Sequence, residues 1–251
     1  MALRTPPVFA PPHSLPQLPG AALRVLTPAD FPAWVRLRDE VLAGLAHPDM
    51  YVREADEAAF FAQHSLPRGH AIGVFLGAEL VAYAMLGAPE PGEAGHLGAV
   101  AGLAPDAQAR VAHLASCMVR AGWRGRQLQA LLLKLRCALA QAYDRPLCLA
   151  MVSLHNAASC HNLLAHGMWI AWTGEIDGLQ RHVLQIDLLG HARWDLGGSR
   201  LIAADDFAQL RAAAADGYCG IADAADGPRR MLRYARRLPD AAAPNHAAVP
   251  R

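Results

Sequence analysis

The sequence is short of several things, and each shortage excludes something. Positive and negative charge almost cancel, 23 basic against 22 acidic residues for a net +1. That removes any electrostatic argument for a nucleic-acid or anionic-membrane partner. No apolar run approaches the roughly 20 residues a membrane helix needs. There is no C-x-x-C pair. The five cysteines (Cys117, Cys137, Cys148, Cys160, Cys219) are odd in number and scattered, mostly inside apolar runs where cysteine acts as a small buried hydrophobe. This suits a reducing, cytoplasmic setting. Aromatics are only 6% of the chain. The N-terminus is proline-rich without the continuous apolar core of a signal peptide.

What is present is 53% apolar residue in a chain of 251, an Ala/Leu-heavy composition ordinary for a globular protein. That length suits one good-sized domain plus an appendage, or two small domains. Residues 1–20 read as a disordered tail, 21–190 as the main domain, 191–238 as a C-terminal α/β extension and 239–251 as a second disordered tail. No internal repeat is legible.

Structure should begin at Ala21 with an alternating strand. Thr27-Pro28-Ala29-Asp30 then supplies a helix start of capping-box type, followed by an apolar stripe through Trp34, Leu37 and Val41. A second helix is expected over Glu54–His64. His70–Leu76 and Glu79–Leu86 form a hairpin around Gly77-Ala78. Residues 87–110, rich in Gly, Ala and Pro, read as a long irregular connection. Asn156 caps a helix that Gly167 ends, and strands at Met168–Glu175 and Arg181–Leu188 follow. Residues 191–238 are too few for a confident core of their own; they pack on the main domain or build a subunit interface, such as that of a homodimer. The basic run Arg229–Arg237 reads as a solvated or subunit-facing surface.

The most informative stretch is Val119 to Ala140. An apolar strand, His113–Val119, enters a loop with Arg120, Arg124, Gly125 and Arg126, and a strongly apolar helix starts at about Gln127. Free N–H groups at the helix start, the dipole and the basic loop together favour a phosphate. Twelve histidines raise the question of metal, but His155, His161 and His166 are not spaced to share one helix face. No metal is expected.

The order of elements, with V-x-x-x-x-R-G-x-x-L from Val119 to Leu128 and N-A-A-S from Asn156 to Ser159, resembles the GNAT superfamily of acyl-CoA-dependent N-acetyltransferases. The resemblance spans roughly residues 22–189. It implies an α/β (α+β) fold: a mixed, mostly antiparallel sheet of about seven strands, splayed between the fourth and fifth and flanked by helices. It also implies acetyl-CoA or another acyl-CoA as co-substrate, and a small-molecule or peptide amine as acceptor. By that resemblance Cys117, Met118 and Val119 would meet the pantetheine arm. Arg124, Gly125, Arg126, Gln127, Leu128 and Gln129 would hold the pyrophosphate, with Asn156 and Ser159 at the next helix start. Gln127 and Gln129 stand where the family has small residues, and Leu163 where it often has a proton-donating tyrosine. Two catalytic candidates are His113, as a base titrating near neutrality, and Ser116. The alternative is a catalytically weak CoA-binding regulatory module.

Overall fold

A computed structural model describes residues 13–15, 18–226 and 229–239. Strand β1 (His13–Ser14) leads to β2 (Ala21–Val25), helix α1 (Phe31–Ala43) and helix α2 (Glu57–Gln63). The hairpin β3 (Gly69–Leu76) and β4 (Glu79–Gly87) follows, then two single-turn helices, α3 (Leu97–Val100) and α4 (Pro105–Gln108). Next come β5 (Val111–Val119), α5 (Leu128–Ala142), β6 (Leu147–Ser153), α6 (Ala157–Ala165), β7 (Trp169–Ile176) and β8 (Leu179–Asp187). The chain closes with β9 (Trp194–Ala203), α7 (Phe207–Ala215), β10 (Tyr218–Asp226) and β11 (Arg229–Arg237). No described helix is long and apolar enough to cross a membrane.

All the described strands join one sheet, ordered β1-β2-β3-β4-β5-β6-β8-β7-β10-β11-β9. Among the described residues eleven strands replace the seven expected. The difference lies at both ends of the chain. His13–Ser14 pairs with β2, and Leu15 and Leu18 are buried, so part of the presumed N-terminal tail is packed; the rest of it, and residues 240–251, lie outside the described residues. The basic run 229–237 is a strand between β10 and β9 that keeps Arg229, Arg236 and Arg237 exposed and fully buries Leu232 and Tyr234.

The C-terminal strands are a second copy of an earlier unit, a repeat that the sequence does not display. Helix Ala157–Ala165 recurs as Phe207–Ala215, and strand Leu179–Asp187 as Arg229–Arg237, a displacement of 50 residues (157 to 207, 179 to 229). The caps recur too: Asn156 accepts from the Ser159 N–H and Asp206 from the Gln209 N–H. Gly167 and Gly217 both end their helices at positive φ, where a Cβ would be strained. Even the bulge repeats, between Ile170 and Trp172 in one unit and Gly220 and Ala222 in the other.

Local sequence explains the elements that frame the site. The Asp30 carboxylate accepts from the Thr27 N–H at 2.8 Å and grips Arg24 through both oxygens, as the capping-box pattern predicts. On α1, Trp34, Leu37 and Val41 face Phe61 and Tyr83 in one core cluster. Arg38, fully buried, lies over the Trp34 ring and pairs with Asp39 and Glu57. Arg53 reaches the same two carboxylates. This four-charge knot anchors the start of α2 to α1 and fixes the chain between them, residues 44–56.

Candidate active site

Strands β5 and β6 make the only parallel pairing among the described residues, and it is short. The register runs Val111↔Leu147, Ala112↔Cys148, His113↔Leu149 and then stops. Beyond it the two strands diverge. The wedge between them opens into a cavity of about 400 Å³, walled by β5, β6, the start of α6 and the segment around residues 50–64. The splay expected between the fourth and fifth strands (counting from the strand at Ala21) is thus present.

The residues expected to hold the pyrophosphate lie at the far end of β5. A short turn over Ala121–Trp123 leads to Gly125 at φ +75° and Gln127 at φ +57°, and α5 then starts at Leu128. Gln127 keeps the left-handed backbone that a glycine would take freely, which costs a non-glycine about 1–2 kcal/mol. Arg124 and Arg126 are exposed and have no carboxylate partner among the described residues; the Arg126 guanidinium stacks over Trp123. Arg120, by contrast, is committed to Glu40 and Glu79.

Other predicted residues divide by where their side chains point. Cys117, Gln129, Asn156 and Ser159 line the cavity, and Gln129 accepts from the Asn162 amide at 2.6 Å. Met118 and Leu128 are buried in the core, and Val119 packs against it, so these residues have little but backbone to offer a ligand. Leu163 lines the cavity and cannot donate a proton.

His113 also lines the cavity, but its chemistry is spent. Its Nε2 accepts from the Leu97 N–H at 3.1 Å. Burial, with the neighbouring His96, His64 and Arg145, drives its pKa down to about 3. A neutral imidazole with its acceptor nitrogen occupied secures α3 against β5 rather than collecting protons near neutrality. Ser116 belongs to a longer hydrogen-bonded chain. Its Oγ lies 2.9 Å from the Tyr83 hydroxyl and also meets Tyr51. Tyr51 donates to Glu54 Oε1 at 2.6 Å, while Glu54 Oε2 is buried with no partner. Burial pushes the Tyr51 hydroxyl well above its usual range, so it stays a donor.

Sequence reading missed Glu54 and Arg181. Glu54 sits in Y-V-R-E just before α2 and carries no motif; Arg181 shares β8 with Gln180, His182, Gln185 and Asp187, so its charge did not stand out. At 5% exposure Arg181 lines the cavity from β8, opposite Ser153. Its one hydrogen bond is to the Gln180 carbonyl. Burial lowers its pKa, opposed only through space by Asp49. At the rim the His47 and His155 rings stack at 3.6 Å, tying the residue 44–56 segment to the loop after β6; with Asp49 they form a loose exposed cluster.

Solved structures share this fold. A putative acetyltransferase of Salmonella typhimurium, yncA, solved with acetyl-CoA, matches at a TM-score of 0.51 and 19% identity, covering 70% of this chain and 98% of its own. An N-acetyltransferase of Staphylococcus aureus Mu50 matches at 0.50 and 17%, covering 67% and 98%. Ard1 of Thermoplasma volcanium matches at 0.50 and 11%, covering 68% and 99%. The fold is that of the GNAT N-acetyltransferases. No family model matches the sequence, and no curated protein does. The GNAT likeness is therefore one of fold.

Proposed function

We propose that this protein transfers an acetyl or other short acyl group from acyl-CoA to a primary amine, within a ternary complex. The observation that carries the reading is the splay after His113↔Leu149, which leaves a cavity between two strands with a basic helix start at its end. The N–H groups of the Gly125–Gln129 segment, with Arg124 and Arg126, suit the pyrophosphate. Cys117–Val119 would run beside the pantetheine arm, with Asn156 and Ser159 across from it. A β5 N–H beyond His113, where the parallel ladder stops, would stabilise the oxyanion as the thioester carbon becomes tetrahedral.

Glu54 is the better base. Glu54 lines the cavity, Tyr51 holds it through Oε1, its Oε2 has no hydrogen-bond partner, and Arg38 and Arg53 brace the surrounding segment. The amine nitrogen attacks the thioester carbon, its proton passes to Glu54 directly or through one water, and the carbon–sulfur bond breaks. The sulfur leaves as a thiolate. A thiol pKa of about 8.5 makes that departure easy without an acid, so Leu163 in place of a tyrosine is tolerable. Ser116 acts through Tyr51 as a positioning residue.

The acyl-transfer reading predicts that acetyl-CoA raises the melting temperature and that added amines release free thiol from it. A rise in melting temperature with no thiol release across amines and peptides would favour a CoA-binding regulatory module instead.

A further inference from the structure

Two charged side chains lining the cavity have hydrogen-bonding capacity left over. Glu54 presents a buried carboxylate oxygen with no hydrogen-bond partner. Arg181 is 95% buried by its 5% exposure, and the single Gln180 carbonyl leaves most of its donors unspent. The other charged groups in the wall are accounted for. Arg136 donates to the carbonyls of Leu132, Met85 and Ala115. Glu93 is paired with Arg68. His64 and His113 are neutral, each with a ring nitrogen engaged by backbone.

A buried guanidinium with no carboxylate in hydrogen-bond contact is costly, and so is a carboxylate oxygen without a donor. One ligand that satisfies both has a cationic or donor nitrogen and an anionic group of its own. We propose that the acceptor is an amine bearing a carboxylate, a zwitterion of amino-acid type, with its carboxylate received by Arg181 and its nitrogen turned to Glu54. This rests on the acyl-transfer reading and names its acceptor. A planar guanidinium matches a carboxylate through two parallel hydrogen bonds. The cavity of about 400 Å³ must also take the end of the pantetheine arm, which favours a small acceptor. The N-terminus of a peptide, whose own carboxyl is an amide, leaves Arg181 unanswered.

The test compares thiol release from acetyl-CoA with matched sets: the standard amino acids, their amides, and the amines left by removing the carboxyl group. For the best acceptor, kcat/KM of the free acid should exceed that of its amide and of its decarboxylated amine by about tenfold or more, chiefly through KM. Arg181→Met should raise the KM of the free acid to that of the amide, and Arg181→Lys should recover part of the difference. Wild-type protein that uses carboxylate-free amines as well as the free acids overturns the proposal while leaving acyl transfer intact. Absence of thiol release with every class, while acetyl-CoA still raises the melting temperature, overturns acyl transfer and this proposal with it.

Discussion

Ile170 on β7 pairs with Gly220 on β10 across an antiparallel contact, and the two residues hold the same place in their respective units, 50 positions apart (170 and 220). The junction therefore has the geometry of a local two-fold axis within one chain. Strand order around it is a palindrome, β6-β8-β7 against β10-β11-β9. The exposed edge of β7, through which a second copy of the domain could pair, is filled by the chain itself. Fusion of this kind protects an edge that would otherwise invite association.

A Cβ at Gly220 would stand 2.8 Å from Ile170 Cδ1 and 3.0 Å from Tyr234 Cζ. Gly220→Val should therefore destabilise the protein by about 1–3 kcal/mol, read as a lowered midpoint in chemical denaturation. A midpoint equal to wild type would show that the two units do not pack as described.

Glu54→Gln keeps the hydrogen bond from Tyr51 and removes the base. It should lower kcat by about 10²–10⁴-fold with acetyl-CoA affinity unchanged. Tyr51→Phe, which only releases Glu54 from its orientation, should cost less in kcat. Equal losses in the two variants would point to the phenol as the group that matters.

Gln127 carries a left-handed backbone at φ +57°. Gln127→Gly should leave stability within about 1 kcal/mol, since relief of strain offsets the freer unfolded chain. Gln127→Val should cost about 1–2 kcal/mol, because a branched side chain is least tolerated there. Denaturation midpoints check both, and a Val variant as stable as wild type would contradict the assigned backbone.

Stability should depend on pH in a defined direction. Burial lowers the folded pKa of His70 to about 4 and of His113 and His182 to about 3. The unfolded chain binds protons on these groups below about 6.5, so the folded state is at full strength above that pH. Stability is lost as pH falls from about 6.5 towards 3. Asp30, held down to about 2 by Arg24, adds a further loss from about pH 4 downward. Melting temperature measured from pH 8 to pH 4 should fall steadily below 6.5. For His113→Ala the slope below 6.5 should be shallower and the pH–rate profile should keep its acidic limb.

The elements that frame the site were legible because each carries a local signal. Thr27 with Asp30, Asn156 with Ser159, and Gly167 are caps whose hydrogen bonds or dihedral angles are fixed within a few residues. The helix at Leu128 and the turn before it follow from the basic glycine loop and an apolar repeat. The duplication was hidden because between Asn156–Gly167 and Asp206–Gly217 only Ala158/Ala208, Ala165/Ala215 and Gly167/Gly217 keep the same residue. Burial pattern, cap and bulge were preserved, and side-chain identity was not. Glu54 and Arg181 were missed for a different reason. Their meaning depends on which partners they lack, and only the folded arrangement reveals that. His113 drew notice as a histidine on the strand whose other end would carry the thioester, whereas the Leu97 N–H that occupies it comes from residues read as irregular chain.

The most direct test of the account is the rate at which free thiol appears from acetyl-CoA when an amine is added, measured for wild type and Glu54→Gln side by side. The account predicts amine-dependent release in the wild type and a loss of about 10²-fold or more in the variant, with acetyl-CoA still raising the melting temperature of both. Thiol release that is independent of the amine, or unchanged in Glu54→Gln, would contradict it.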